Sequence, residues 1–402
     1  MGDEVMEQRE PRLPRAVYFF GATSLANDLS SEMIYPLLPA FVGTLGGGAL
    51  ALGVLDGLAD AVSAAFKLLS GYLADRPRLR GPLVVAGYAI AAAVRPFMAA
   101  AGAAWHVIGL RAVDRLGKGV RTAPRDTMIA GVAAPEIRGR AFGVHRAADH
   151  VGAIVGPLLA AALIAAGFTV RSVFWIAVVP GAVAVALAWV AVREAGGERG
   201  AGSGTLGGVA MASARAEGTA PRSPLPLLLL VLALAAFLRA PETLLILRAQ
   251  DLGVPIKMIP ILWAALHVVR SASSYPGGVL ADRWGPRRTL ALGWMCYAAL
   301  AWAFGAAHTT PQAWAVFLSF GVVSGLTESP ERKLIAGLAP AGRHGRGFGW
   351  YHGSLSAVAL PGAVLFGWLY QSRGAHPALV ASAATTLLAT VMLGVVGRDR
   401  EA

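Results

Sequence analysis

Residues 71–76 read GYLADR, and residues 278–283, which lie 207 positions later, read GVLADR. A second pair of motifs keeps almost the same spacing, because residues 139–143 read GRAFG and residues 345–349 read GRGFG. Each motif lies at a boundary between a long apolar segment and a short polar one. Several matches that keep almost the same spacing, about half the length of the chain, indicate an internal duplication.

The duplication extends to single residues inside the apolar segments. Pro124 corresponds to Pro330 at a spacing of 206 positions, and Glu32 corresponds to Glu242 at a spacing of 210 positions. Membrane proteins built from two repeats usually bind their substrate near the midplane, where the repeats meet. We therefore expect two similar halves with a site between them.

The composition is typical of a membrane protein. Of the 402 residues, 56% are hydrophobic and 14% are charged, whereas soluble domains contain about 25% charged residues. This composition excludes a disordered chain, a coiled coil and collagen, and it argues against a water-soluble enzyme. The single cysteine, Cys296, excludes an intrachain disulfide. The first ten residues are polar with mixed charge, so we expect no cleaved signal peptide.

A membrane-spanning helix needs about 20 mainly apolar residues, and the sequence supplies twelve such segments. They predict an all-α membrane protein with a tail at 1–15, a six-helix bundle at 16–193, a flexible linker at 194–224, a second six-helix bundle at 225–396 and a tail at 397–402. The predicted spans are residues 16–42, 50–73, 82–103, 105–130, 141–166, 172–193, 225–249, 257–280, 288–307, 312–337, 347–370 and 377–396.

The distribution of Lys and Arg among the connecting segments predicts the orientation. The side that holds both termini and the linker has 19 basic residues, and the other side has three, Arg171, Lys257 and Arg373. Because cytoplasmic loops carry the excess of Lys and Arg, we expect both termini in the cytoplasm and the chain in the cell membrane. The net charge of +12 then reflects topology, and we expect no nucleic-acid partner.

These motifs resemble those of the major facilitator superfamily over residues 16–396. The loop pattern G-x-L-A-D-R is a signature of that family, and the copy at 278–288 is nearly complete. Residues 115–119 read RLGKG, similar to the R-x-x-Q-G motif of proton-coupled members, with Lys118 in the position of Gln. The resemblance implies two six-helix bundles that alternate access to a central site lined by the first, fourth, seventh and tenth spans.

The fifth span is similar to the antiporter motif of the same family. Its helix-packing residues are Gly143, Gly152, Gly156 and Pro157, and two alanines replace the closing pair of glycines. This similarity favours export, and uptake stays the alternative.

The repeated loops also predict a gate. Asp75 and Asp282 are suited to accept hydrogen bonds from a helix N-terminus or to pair with an arginine, and Arg140 and Arg346 begin the fifth and eleventh spans. We expect a latch that closes the cytoplasmic face while the outside is open; alternatively, the arginines only anchor the topology. The gating residues are Gly71, Asp75, Arg76, Arg140, Gly278, Asp282, Arg283 and Arg346.

Ionisable side chains at membrane depth are costly and usually face a cavity or each other. Asp114 and Lys118 share one face of the fourth span with two further arginines. In one interpretation the basic residues of this span bind an anionic or polar substrate while Asp28 or Glu32 carries a coupling proton. In the other, the charges only pair across helices and fix the packing. The candidates are Asp28, Glu32, Arg111, Asp114, Arg115, Lys118, His145, Asp149, Arg239, Glu242 and Glu328, with Glu32 and Arg115 the strongest.

His145 and Asp149 lie four residues apart on the fifth span, a spacing suited to relaying a proton or to locking two helices together. We expect neither a metal ion nor a cofactor, because metal-ligand spacing and a nucleotide-binding G-x-x-x-x-G-K-[S/T] loop are both absent from the sequence.

Together these features predict a secondary active transporter that works by alternating access as a monomer within the lipid bilayer. The favoured activity is proton-coupled export of a small organic compound, an anion if the basic face of the fourth span binds it. Proton-linked uptake of a metabolite is the alternative, and a membrane-embedded enzyme or sensor is a remote one.

Overall fold

The computed structural model describes residues 13–133, 137–201, 225–338 and 344–398. Within these ranges the chain is helical and contains no β-strand. The helices are α1 (Arg15–Ile34), α2 (Leu38–Thr44), α3 (Ala49–Ala74), α4 (Pro77–Ala100), α5 (Ala104–Val132), α6 (Arg138–Ala165), α7 (Val170–Ile176), α8 (Val178–Ala201), α9 (Leu225–Phe237), α10 (Glu242–Asp251), α11 (Ile259–Arg283), α12 (Pro286–Ala306), α13 (Thr310–Leu338), α14 (His344–Arg373) and α15 (Ala375–Arg398).

Three of the spans are each made of two helices. The first consists of α1 and α2, joined by a single 3₁₀ turn over Tyr35–Leu37 in which Pro36 interrupts the α-helical hydrogen bonds. The sixth consists of α7 and α8, and the seventh of α9 and α10, with Pro241 directly before α10. Among the described residues, eight segments are long and apolar enough to cross a membrane; the first, fourth, eighth and tenth spans are the more polar ones.

The two halves pack their helices in the same way, which supports the duplication seen in the sequence. Ser70 of α3 donates a hydrogen bond to the carbonyl of Gly119 in α5, over 2.9 Å. At the corresponding place in the second half, Gly277 of α11 lies against the carbonyl of Gly325 in α13. Small residues at both crossings let the backbones approach closely.

The halves meet tightly where α3 begins and α14 ends. A Cβ atom placed on Gly57 of α3 would lie 2.9 Å from the Cα of Leu360 in α14. Nearby, the backbone N–H of Leu50 donates to the side-chain oxygen of Gln371, over 3.0 Å. We call this end of the bundle the sealed end, and the opposite end, where the G-x-L-A-D-R motifs lie, the loop end.

The halves separate towards the loop end. Gly53 and Gly71 lie five helical turns apart and therefore on the same face of α3. At Gly53 this face touches the backbone of Ala363 in α14, whereas a Cβ atom on Gly71 would have no neighbour within 4 Å. The space between the halves is therefore closed at the sealed end and open at the loop end.

The predicted domain boundaries stay predictions. Helix α8 continues to Ala201, and most of the linker predicted at 194–224, like most of both tails, lies outside the described residues.

Replacing Gly57 by Val is expected to destabilise this sealed conformation by about 1–3 kcal/mol, because the added methyl groups overpack the contact with α14. The drop is measured as a lower midpoint of thermal unfolding in detergent. Gly71→Val is the matched control, since it changes the same helix at a position with open space. Equal destabilisation by the two variants would contradict the sealed contact.

Candidate functional site

A cavity of about 550 Å³ lies between the two halves. Helices α3 and α5 contribute one wall, and residues from α9 to α11, α13 and α14 contribute the other. Of the described residues that line it, ten are charged, five of each sign. They are Asp56, Asp60, Arg111, Arg115, Lys118, Arg239, Glu242, Arg270, Glu328 and Glu331.

The break in the seventh span places irregular backbone at this cavity. Helix α9 ends before Arg239, and α10 begins at Glu242 after Pro241. The freed N–H of Ala240 donates to the Tyr297 hydroxyl over 2.8 Å, and the Arg239 guanidinium lies 5.1 Å from the centre of the same ring. Non-helical backbone at membrane depth is tolerated where it lines a cavity, as it does here.

Two arginines of the cavity have carboxylate partners. Arg111 is buried, and its Nη1 lies 3.1 Å from Oδ2 of Asp114. Its guanidinium also lies 4.7 Å from the centre of the Tyr35 ring. In the other half, Nη2 of Arg270 lies 2.5 Å from Oε1 of Glu242. These pairs compensate charges that the membrane interior does not tolerate alone.

Three lining cations have no such partner. Neither Arg115 nor Lys118 has a hydrogen-bond or ion-pair partner for its side chain among the described residues, and Lys118 is exposed to the cavity. For Arg239, the contact found within the described ranges is the one with the Tyr297 ring.

The lining carboxylates are better satisfied. Asp56 accepts hydrogen bonds from Thr243, and Glu331 accepts one from the Tyr351 hydroxyl over 2.7 Å. Glu328 lies 3.6 Å from Arg332, with both side chains exposed. Within the part of the chain that is described, Asp60 is the lining carboxylate without a partner. The uncompensated charge of the cavity is therefore mainly positive.

Below the cavity, polar contacts join the halves at the sealed end. The indole N–H of Trp263 in α11 donates to Oε2 of Glu32 in α1, over 2.8 Å. The Trp263 ring also lies 5.1 Å from the Tyr35 ring, centre to centre. Glu32 therefore lies at the contact between the halves and is not among the described residues that line the cavity.

The helix-packing glycines of the fifth span hold α6 against α1. A Cβ atom on Gly152 would lie 3.0 Å from the Cβ of Asp28, and one on Gly156 would lie 3.2 Å from the Cβ of Glu32. Pro157 follows inside α6, and Gly143 faces open space. The motif thus supports α1 directly behind its two carboxylates.

His145 and Asp149 also lie at the contact between α6 and α1. Asp149 accepts a hydrogen bond from Ser24 of α1 and lies 3.6 Å from Nδ1 of the buried His145. Asp28 accepts a hydrogen bond from the side chain of Asn27 over 2.9 Å. This placement fits the interhelical lock, and the proton relay stays a prediction.

The structure thus brings together six of the eleven predicted substrate and proton residues around the described cavity. The other five, Asp28, Glu32, Asp114, His145 and Asp149, lie at helix contacts around it. Four charged lining residues are absent from the predicted set, namely Asp56, Asp60, Arg270 and Glu331. The i, i+4 spacing of Asp56 and Asp60 on one face of the second span is a signal that could have found these two.

The gating residues lie at the loop end. Lys333 of α13 pairs with Asp282, with Nζ 2.6 Å from Oδ1. Asp75, Arg76 and Arg283 are exposed, and no ion pair of theirs occurs among the described residues. Gly278, like Gly71, faces open space. The side chains of Arg140 and Arg346 lie outside the described ones. The open loop end and the separated glycines fit a latch that is released in this conformation.

The family model of the Major Facilitator Superfamily matches residues 20–330 and 227–402. The chain belongs to the Major Facilitator Superfamily. The predicted all-α fold with twelve membrane helices in two halves is confirmed. The protein is a multi-pass membrane transporter of the secondary type.

One relative is similar over most of the chain, and another over little more than a third of it. An uncharacterized MFS-type transporter of Methanocaldococcus jannaschii is 26% identical over 371 residues, which cover 90% of each chain. The multidrug resistance protein MdtH of Edwardsiella ictaluri is 28% identical over 152 residues, which cover 38% of each chain.

Solved structures of the superfamily share the fold. A bacterial homolog of the human lysosomal transporter Spinster, in an inward-facing and occupied conformation, superposes with a TM-score of 0.73 at 15% identity, covering 97% of this chain and 98% of that one. A peptide transporter of the POT family superposes with a TM-score of 0.76 at 14% identity, covering 96% and 95%.

Replacing Asp114 by Asn is expected to destabilise the protein by about 3–5 kcal/mol, because it leaves the buried Arg111 without its carboxylate. Lys118→Gln is the control on the same helix face, because its side chain is exposed and pairs with none of the described residues, which predicts a change within about 0.5 kcal/mol. Chemical unfolding in detergent measures both. If the Asn variant were as stable as the control, Asp114 would not have the structural role assigned here.

Replacing Asp75 by Asn is expected to slow transport without lowering expression, because the latch predicted at the loop end would lose its acceptor. Transport is measured as initial flux into proteoliposomes, with Arg78→Gln as the control for a lost surface charge. Unchanged flux in the Asp75 variant would show that Asp75 does not act in a latch.

Proposed function

We propose that the protein is a proton-coupled exporter of a small organic anion in the cell membrane. It works as a monomer with both termini in the cytoplasm. The observation that carries the proposal is the pair Arg115 and Lys118, two cations that line the cavity and have no ion-pair partner in the part of the chain that the structure describes.

An uncompensated cation at membrane depth favours an anionic ligand, because the ligand supplies the missing counter-charge. The planar guanidinium of Arg115 is suited to a bidentate contact with a carboxylate, sulfonate or phosphate group. Lys118 lies nearly one turn further along α5 and adds a point charge on the same wall. A volume of about 550 Å³ is in the usual range for sites that bind small organic molecules.

The conformation fits one step of alternating access. With the predicted orientation, the loop end faces the cytoplasm, so the open cavity would load its substrate from that side. Release would require the contacts of Gly57 with α14 and of Trp263 with Glu32 to separate.

Export is supported by the helix-packing glycines of α6 and by the partial similarity to the multidrug resistance protein MdtH. Proton-linked uptake is the second candidate, and the placement of one carboxylate favours it. Asp60 and Arg115 both line the cavity, on the neighbouring helices α3 and α5. An anion that neutralises Arg115 would promote protonation of Asp60, so that anion and proton would bind together.

Purified protein in proteoliposomes is expected to move a radiolabelled organic anion from a test panel when a pH gradient is imposed. Exchange moves the anion towards the acidic compartment, whereas co-transport moves it towards the alkaline one, so the direction separates export from uptake. Flux that is independent of the pH gradient would contradict proton coupling for export and for uptake alike.

Arg115→Ala is expected to lower this flux at least tenfold by removing the principal anion-binding group, a loss of about 1.4 kcal/mol or more of binding free energy. Lys257→Gln, which removes an exposed cation outside the cavity, is the control. An Arg115→Ala protein with normal flux would rule out the anion site on α5.

A further inference from the structure

Asp56 joins the two halves through the wall of the cavity. Its Oδ2 accepts a hydrogen bond from the Thr243 hydroxyl over 2.7 Å and one from the Thr243 backbone N–H over 3.1 Å. The Tyr35 hydroxyl lies 3.3 Å from Oδ1. Thr243 is fully buried, and it belongs to the opposite half. One carboxylate thus accepts hydrogen bonds from both halves.

The bond to Thr243 is also a helix cap supplied by the other half. Thr243 is the second residue of α10, and Pro241, the residue before this helix, makes no side-chain capping bond. The first N–H groups of a helix have no partner within the helix and carry a partial positive charge. The Asp56 carboxylate supplies both the acceptor and the negative charge, so its ionised form favours contact between the halves.

Groups from each side surround this carboxylate. Its own helix adds Asp60, and α14, which packs against α3, contributes the apolar Leu360 and Ala363 near Gly57. Among the described residues, the titratable and charged groups near Asp56 are Tyr35, Asp60 and Arg111. Glu242, which precedes Thr243, lines the same cavity and is paired with Arg270 of α11.

We propose that Asp56 is the binding site of the coupling proton and that protonation releases the sealed end. The proposal rests on the proposed function, because it supplies the proton step of that transport cycle. A neutral carboxyl group is a weaker acceptor than a carboxylate and no longer complements the start of α10. The proton therefore binds more tightly when the halves are apart, and lowering the pH populates the conformation that is open at the sealed end.

Glu32 is the rival site, because it too accepts a hydrogen bond across the halves, from the Trp263 indole. Two observations favour Asp56. Asp56 is among the described residues that line the cavity, whereas Glu32 is not. Asp56 also caps a helix of the other half through a backbone N–H, a bond that depends directly on its charge.

The test measures the opening of the sealed end against pH. Spin labels on cysteines at Thr44 and Ser372, exposed positions at this end of the two halves, report the distance between them by double electron–electron resonance, with Cys296 replaced by Ser. In the otherwise unchanged chain, the ratio of long to short distances is expected to rise as the pH falls, by up to about tenfold per pH unit for one coupled proton. In Asp56→Asn the ratio is expected to stay high at every pH.

Asp126→Asn is the control, because it removes a carboxylate outside the cavity whose described ion pair, with Arg125, stays within α5; its ratio is expected to follow the pH as before. A pH response that persists in Asp56→Asn would overturn the proposal, and so would a response that is lost in Glu32→Gln and kept in Asp56→Asn. If the Asn variant does not fold, Thr243→Val tests the same bond. It should move the midpoint to higher pH, and an unmoved midpoint would also overturn the proposal.

The outcome for Asp56 is separate from the outcome for transport. Anion flux driven by a pH gradient, together with an unchanged response in Asp56→Asn, would remove only the assignment of the proton site. If the distance ratio depends on Asp56 but no anion flux is found, the assignment of the proton site would stand and the assignment of an anion as substrate would be wrong.

Discussion

Charge in a membrane must be compensated or hydrated, and this constraint organises the whole structure. The spans that are too polar to cross a bilayer by composition alone include α5, α11 and α13. These helices line the cavity. Their polar faces are stable at membrane depth because water and opposite charges meet them there, while apolar helices such as α4, α12 and α15 surround the bundle.

Within this framework, binding and gating share one network of contacts. Arg111 lies over the Tyr35 ring, the Tyr35 hydroxyl contacts Asp56, and Asp56 holds Thr243 in the other half. The Tyr35 ring in turn contacts Trp263. The cavity residue Arg111 is therefore linked to the contact between the halves through direct neighbours, without a long pathway.

The sequence predicted part of the cavity, and three of its four omissions have a common cause. Arg115 and Lys118 were found because α5 carries a run of charges with helical spacing. Asp56, Asp60 and Arg270 were not assigned a role, because the resemblance to the family placed only the first, fourth, seventh and tenth spans around the site. In the structure the second and eighth spans also reach it, since close glycine contacts such as that of Gly119 draw α3 against α5.

The fold class, the number of spans and the duplication could all be predicted from the chain, because apolar length and repeated motifs are local properties of it. The packed helices were needed to show which charges face one hollow, which of them pair, and that Glu32 contacts Trp263 at the sealed end. The reason is that the rotation of each helix about its axis depends on the neighbours against which it packs. A residue such as Gly152 fixes the position of α1 through a contact more than 120 residues away in the chain, and no local pattern encodes that contact.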